Sequence, residues 1–554
     1  MKIRFLLLTY LLMLFSCTSE KADQNIPIDV PFSWSGATIY FLMTDRFYDG
    51  DPQNNFQHDA ANPPAAYRGF MGGDIKGITD KIKEGYFTKL GVDAIWFTPV
   101  VEQIKGSVDE GTGNSFAFHG YWTRDWTALD QRFGTAEELR ELVKVAHQND
   151  LKILIDAVAN HTGPVTEMDS QWPDDWVKTG PRCSYTDAKT TIDCTLVENL
   201  PDIKTESDKE VELPLFLLEK WKNEGRYEQE ITELDQWFET TGYKRTPVNY
   251  ILKWLVDFIK EYGIDGYRVD TVKHTEAFVW SDLYRAAVEA FESYKDEHPE
   301  EFPDDAPFYM VGEVYNYYAS GGREFDYGDQ KVDFFDHGFH SLINFDFKTD
   351  ATREYEEIFV KYDTLLNGPL EGKSVVNYIS SHDDGAPFDK ERKMPLEAGT
   401  KLMLTQGSAQ IYYGDETARR LNVKADGDAV LRSPMNWQAI SSNDSKVGYT
   451  TKDVLEHWRK LGQFRKSNPA IANGKHQLIS SDPYVFKREW TSGDYTNKVV
   501  VGLGLEKGQK EINVANTFGN GVAIIDQYSG KTGKVSNGKV ILDTPFDLVL
   551  LSIN

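Results

Sequence analysis

Cysteine is scarce here: three residues in 554, at positions 17, 183 and 194, with no CxxC or HxxxH spacing anywhere. A zinc site of the usual spacing is thereby excluded. A fold held only by disulfides or metal is not needed either, because a chain this long can bury an ample apolar core. Basic charge is also short: 60 Lys and Arg against 87 Asp and Glu leave a formal charge of -27. Nucleic acid or anionic lipid would be repelled by such a surface, whereas a neutral substrate would not. Only the N-terminus carries a long apolar run, Phe5 to Phe15 behind Lys2 and Arg4, and it is too short to cross a bilayer. No internal repeat or low-complexity segment is present.

That N-terminal run reads as a secretory signal. Leu14-Phe15-Ser16-Cys17 resembles a bacterial lipoprotein cleavage box, which implies an exported chain anchored to a membrane by acyl groups on Cys17. Residues 1–16 are then the signal and 17–33 a polar tether. Cys183 and Cys194 have ten residues between them in a polar stretch; a disulfide is favoured over two free thiols in an exported protein.

Short apolar runs alternate with amphipathic helical patterns through the middle of the chain, as βα units around a parallel sheet do. The candidate strands are Ala37 to Met43, Asp93 to Phe97, Lys152 to Ile155, Gly266 to Val269, Phe308 to Val311, Leu342 to Phe345, Ser374 to Ile379 and Gln410 to Tyr413. Eight strands close a (β/α)8 barrel. Thr135 and Glu138 form a capping-box pair ahead of Leu139, Leu142, Val143 and Ala146. Thr246, Pro247 and Gly263 bracket a second helix as N-cap, N1 residue and stop.

The alternation lapses over 162–245, which is too long for a loop and reads as a small inserted domain after the third strand, with one amphipathic stretch near Leu215 to Trp237. The barrel occupies 34–161 and 246–469. From 470 to 554, short apolar runs between Gly and Asn turns predict a C-terminal antiparallel β-sandwich.

Asp270, Glu313 and Asp383 each follow an apolar strand run. Strand C-termini share one face of a parallel barrel, so these carboxylates are expected to converge at its mouth. Retaining glycoside hydrolysis requires such a pair: one carboxylate attacks the anomeric carbon, and a carboxylic acid about 5–5.5 Å away protonates the leaving oxygen.

Asp156-Ala157-Val158-Ala159-Asn160-His161, Gly266-Tyr267-Arg268-Val269-Asp270-Thr271-Val272-Lys273-His274, Gly312-Glu313-Val314 and Ser381-His382-Asp383 resemble the four signature stretches of the α-amylase family, in the family's order. The likeness runs from about Gly36 to Asn554. It implies Asp270 as nucleophile, Glu313 as acid and base, and Asp383 as a holder of sugar hydroxyls. Arg268, two positions before Asp270, faces the same side of its strand. Glu313 is expected to keep its proton because Asp270 and Asp383 lie near. His161 and His382 would donate hydrogen bonds to the sugar, Tyr121 would lie beneath it as an aromatic platform, and Lys273 and His274 would line the leaving-group side. Asp156 reads as structural, hydrogen bonding either Arg268 or loop backbone. Ser381 departs from the family, which usually has Asn there.

The resemblance also implies calcium, held by Asn160, Asp202 and the carbonyl of His274, where the inserted domain meets the barrel. Asp49, Asp51, Asn54, Asn55, Gly72 and Asp74 resemble a second calcium site of cyclodextrin glucanotransferases, with simple Asx turns as the alternative.

The reading is therefore a monomeric, calcium-dependent, retaining endo-hydrolase of α-1,4 bonds in starch-like poly- and oligosaccharides, a membrane-anchored lipoprotein with no nucleic-acid partner. The rivals are a transglycosylase (a cyclodextrin glucanotransferase, or a maltogenic or pullulan-cleaving relative) and a non-catalytic glucan-binding protein. Against the glucanotransferase stands the expectation that such enzymes carry extra C-terminal domains this chain is too short to hold.

Overall fold

The computed structural model describes residues 30–302 and 304–554. The signal, Cys17 and the tether up to residue 29 lie outside the described residues. Eight strands close a barrel: β1 Thr38–Leu42, β2 Ala94–Phe97, β3 Lys152–Ala157, β4 Gly266–Val269, β5 Tyr309–Gly312, β6 Ser341–Asn344, β7 Ser374–Tyr378 and β8 Ser408–Tyr412. All eight sequence-predicted strands are among them, displaced by at most two residues at an end. Neighbours pair in parallel, β1 with both β2 and β8. Every strand residue is buried, because the barrel interior fills one face and helices cover the other. That is why these strands read as unbroken apolar runs rather than alternating ones.

The flanking helices start and stop largely as their end residues dictate. Helix α1, Ala136–His147, opens on a complete capping box between Thr135 and Glu138. Helix α2, Pro247–Tyr262, has Pro at its first turn and ends at Gly263, whose φ of 66° suits glycine. Thr246 takes the N-cap position of α2, but its hydroxyl makes no capping bond and is buried without a partner.

Between β3 and α2, the two-residue strands Val177–Lys178 and Asp202–Ile203 pair antiparallel, with Lys178 opposite Asp202. Cys183 and Cys194 are joined as a disulfide. The single amphipathic stretch expected near Leu215 to Trp237 is two helices, Leu215–Glu224 and Tyr227–Thr241, broken at Gly225 in the left-handed region. A glycine there ends a helix at little steric cost.

After the short helix Ala470–Asn473 the chain forms a six-stranded antiparallel sheet, covered on one side by the two-stranded pair Gly508–Asn513 and Lys539–Thr544. Successive strand residues face opposite ways. Phe486, Val499, Val501 and Leu550 therefore join the core shared with the barrel, while Val485, Val500, Ile524 and Leu551 pack against Ile512, Val540 and Leu542. Arg488, fully buried at this junction, donates to the Leu404 carbonyl at 2.6 Å. At the opposite end of the barrel from the strand C-termini, Trp34 stacks on Tyr309 with ring centroids 4.2 Å apart and donates its indole N–H to the Pro307 carbonyl.

Candidate active site

Asp270 and Glu313 are the first residues beyond β4 and β5, whose last residues, Val269 and Gly312, are register partners. Adjacent strands run about 4.8 Å apart, so the two carboxyl groups emerge side by side. Both meet one guanidinium: Arg268 Nη1 donates to Asp270 Oδ1 at 2.6 Å, and its Nη2 lies 3.7 Å from Glu313 Oε2. The same Nη1 reaches Asp156 Oδ1 at 2.7 Å, as expected for Asp156. Asp156 Oδ2 in turn accepts from the Trp96 indole at 2.7 Å and the Tyr121 hydroxyl at 3.0 Å. Arg268 is thus fixed from the barrel interior, and it fixes Asp270 in turn.

Glu313 is 7% exposed. Burial is the chief reason that its carboxyl is pushed up to about 8; Arg268 opposes this, and Asp270 and Asp383 add to it. The expectation that the neighbouring acids do most of this is corrected: desolvation of the charged form dominates, and the like charges reinforce it. One Glu313 oxygen accepts the Thr271 backbone N–H at 2.9 Å, which orients the group.

Asp383 is the most open of the three, its side chain 39% exposed. Desolvation acts to raise its proton affinity, but the His382 ring and the Arg432 guanidinium outweigh it and hold the carboxyl well below the usual range. Arg432 Nη2 lies 2.5 Å from Asp383 Oδ1 and 2.6 Å from Asp428 Oδ2, and its Nε donates to the His382 carbonyl.

Tyr121 is half-buried and lies parallel to the His382 ring, centroids 5.4 Å apart. His382 Nε2 is 2.9 Å from Asp383 Oδ2 but out of line for a hydrogen bond, so both ring nitrogens are buried without a partner. His161 differs from expectation. Its Nε2–H is spent on the Tyr121 carbonyl at 3.1 Å, and burial lowers the ring's proton affinity. The unpartnered Nδ1 is left as an acceptor rather than a donor. Lys273 Nζ donates to the Tyr315 carbonyl at 3.0 Å, and His274 Nδ1 to the Thr191 carbonyl at 2.7 Å in the disulfide-closed loop.

The two oxygen clusters expected to hold calcium differ. At the first, Asn160 Nδ2 donates to Asp202 Oδ1 at 2.6 Å, and Lys178 Nζ lies 3.3 Å from Asp202 Oδ2. An ammonium already faces this carboxylate, so the corner does not fit calcium as expected. At the second, Asn54 Oδ1 and Asn55 Oδ1 are buried with no partner. A Cβ at Gly72 would come within 2.3 Å of Asn55 Oδ1, which makes this glycine part of the cradle. Asp49 Oδ2 accepts from Asn55 Nδ2 at 2.7 Å, and Asp51 Oδ1 from the Gln53 N–H at 3.1 Å. Asp74 is committed elsewhere: its carboxylate caps the helix Ile75–Lys83 through Gly77 N–H and also accepts from Gly50 and Asp51. Orphaned oxygens of this kind suit a hard cation, so Asp49, Asp51, Asn54, Asn55 and Gly72 fit one; Asp74 serves as a helix cap.

Sequence reasoning missed Arg432, Asp428, Trp96 and Tyr315. Trp96 lies on β2, two residues beyond its first, and could have been placed by the inward alternation of that strand. Arg432 follows the short 3-10 turn Gly427–Leu431 and carries no periodic signal. A cleft of about 1340 Å³ among Trp126, Glu230, Trp237, Lys253, Trp254 and Arg285 lies away from these carboxylates. A cavity of about 20 Å³ is lined by Arg268, Glu313, His382 and Asp383 themselves.

Residues 41–474 match the family described as alpha amylase, catalytic domain. The chain is 34% identical over 535 residues to the periplasmic alpha-amylase of Escherichia coli K12, covering 85% of this chain and 72% of that protein. It is 27% identical to the cyclomaltodextrin glucanotransferase of Thermoanaerobacterium thermosulfurigenes, covering 88% of this chain but 63% of that one. Among solved structures it resembles an Anoxybacillus alpha-amylase, TM-score 0.63 at 22% identity over 94% of this chain and 99% of that one. It equally resembles CldA, described as a cyclomaltodextrin glucanotransferase with a three-domain ABC distribution, TM-score 0.61 at 22% identity over 94% of this chain and 100% of that one. A glucanotransferase of that name and this span removes the argument that chain length separates the two activities.

Proposed function

The chain belongs to the α-amylase family of glycoside hydrolases, and from that membership we propose that it hydrolyses α-1,4 bonds of starch-like glucans with retention, through a covalent glycosyl-enzyme intermediate. One observation carries this reading: two carboxyl groups at neighbouring strand ends share the Arg268 guanidinium, and one of them, Glu313, holds its proton up to about pH 8.

In the first step the Glu313 O–H gives its proton to the glycosidic oxygen while Asp270 attacks the anomeric carbon. The C–O bond breaks, the shortened glucan leaves as an alcohol, and an ester to Asp270 forms. In the second, the Glu313 carboxylate takes a proton from water, whose oxygen attacks the same carbon and releases Asp270. The Asp270–Arg268 pair at 2.6 Å aims the attacking oxygen. Asp383, held by Arg432, accepts from sugar hydroxyls, the unpartnered nitrogens of His382 and His161 meet others, and the Tyr121 face receives the ring. Lys273 and His274 bound the side from which the leaving portion departs.

Calcium, where bound by Asp49, Asp51, Asn54, Asn55 and Gly72, would supply a structural cross-link between the two ends of the loop that joins the helical turn Thr44–Phe47 to the helix Ile75–Lys83. Export is supported by the N-terminal apolar run and by the relative described as periplasmic, and a lipid anchor at Cys17 by the resemblance of Leu14-Phe15-Ser16-Cys17 to a lipoprotein cleavage box. Among the described residues no helix is long and apolar enough to cross a membrane.

D270N and E313Q should each lower kcat on amylose by about 10³-fold or more while leaving glucan binding measurable. NMR of the first-formed sugar should show the α-anomer; a β-anomer would overturn the mechanism. The second reading is transglycosylation, favoured by the glucanotransferase relatives. Chromatography of products from soluble starch separates the two, since mainly cyclic or elongated glucans would replace the hydrolase reading.

A further inference from the structure

The corner where the inserted segment meets the barrel holds a cation of the chain's own. Lys178 Nζ lies within 3.2 to 3.4 Å of four oxygens: Asp193 Oδ1 at 3.2 Å, Asp202 Oδ2 at 3.3 Å, Glu206 Oε2 at 3.4 Å and the Ile192 carbonyl at 3.4 Å. Its side chain is 9% exposed and that of Asp202 is 2% exposed. The placement is built into the fold, because Lys178 and Asp202 are register partners on paired strands and so project to the same side.

These are oxygens that an ion joining the two parts would need. Asn160 comes from the loop that follows β3, Asp202 from the paired strand, and Ile192 and Asp193 from the disulfide-closed loop, which also reaches His274 through Thr191. Calcium takes six to eight oxygens at about 2.3–2.6 Å. An ammonium at 3.3 Å from Asp202 leaves no such space and repels a second cation. Asn160 turns its N–H₂, not its oxygen, toward Asp202, the orientation of a hydrogen-bonded corner rather than a metal ligand. A carboxylate buried as deeply as Asp202 needs a compensating charge, and Lys178 supplies it.

We propose that the Lys178 ammonium takes the place of calcium at this joint, so that the inserted segment is fastened to the barrel without metal at Asn160, Asp202 and His274. The inference does not rest on the catalytic assignment. It concerns this corner alone, since the Asp49 cluster is a separate site.

Bound calcium, counted by elemental mass spectrometry after equilibration in buffered calcium, tests it on the full chain. Asp202→Asn should hold the same number of ions as wild type; one ion fewer would overturn the proposal. Because the Asp49 cluster is present in both proteins, any ion held there cancels. Lys178→Ala should melt roughly 5 °C below wild type in chelator and should regain part of that loss when calcium is added, beyond any rise that wild type shows. A melting temperature and calcium response equal to those of wild type would equally overturn it.

Discussion

Glu313 keeps its proton in the folded chain up to about pH 8 and would give it up near 4.5 when unfolded. The folded state therefore binds more protons between those values, and stability falls as pH rises through that window. E313Q removes the titration. Its melting temperature should exceed that of wild type increasingly from pH 5 to 8, as followed by calorimetry, even as activity is lost. Under the proposed mechanism the same proton would set the alkaline limb of activity: kcat/KM should decline as pH passes about 8, because that mechanism needs the free acid to protonate the leaving oxygen. Arg432 acts one contact further out. It touches Asp383, Asp428 and the His382 carbonyl, so R432A should leave Asp383 loosely held and lower kcat/KM on maltooligosaccharides by about 10-fold to 100-fold. It should shift the Glu313 limb little, since Arg268 rather than Arg432 is the cation beside Glu313.

Among the elements, the inserted segment depends most on a covalent tie. The Cys183–Cys194 bridge closes a loop whose Thr191 carbonyl holds His274 and whose Ile192 carbonyl faces Lys178. Closing so short a loop is worth about 2–3 kcal/mol by chain entropy. C183S/C194S should lower the melting temperature by a few degrees and, under the proposed mechanism, raise KM more than it lowers kcat, because the loop touches Lys273 and His274 through Tyr185 and Thr191 and carries none of the three carboxylates. Elements of this kind mark where sequence reading succeeds and stops. The barrel strands were legible because burial on both faces writes continuous apolar runs, and the candidate carboxylates at the rim because they follow those runs directly. Gly225 splits a helix that hydrophobic spacing alone makes continuous. Arg432 and Lys178 were illegible for a different reason: each finds its partner across the fold, from a segment with no period of its own. Glu313 stands just beyond its barrel strand as its sequence position predicts, yet the main cause of its shift, depth of burial, is a property that only packing reveals.

For the whole molecule, the C-terminal sheet is continuous with the barrel core, and Arg488 is fully buried at the junction, donating to Leu404 and Ile471 carbonyls. R488A would strand those carbonyls and open a void, so it should destabilise the entire chain by about 3 kcal/mol. Thermal unfolding followed by tryptophan fluorescence and by circular dichroism should still show one shared transition; two separated transitions would mean that the sheet melts independently of the barrel. The direction in which the barrel strands run has a geometric outcome as well. Residues 30–37 approach from the floor, where Trp34 lies against Tyr309, while the carboxylates stand at the rim above. If the proposed anchor at Cys17 holds, the described chain begins at the barrel floor, so the rim that carries the carboxylates is the end remote from the point of attachment, as the mouth of a cup is from its base.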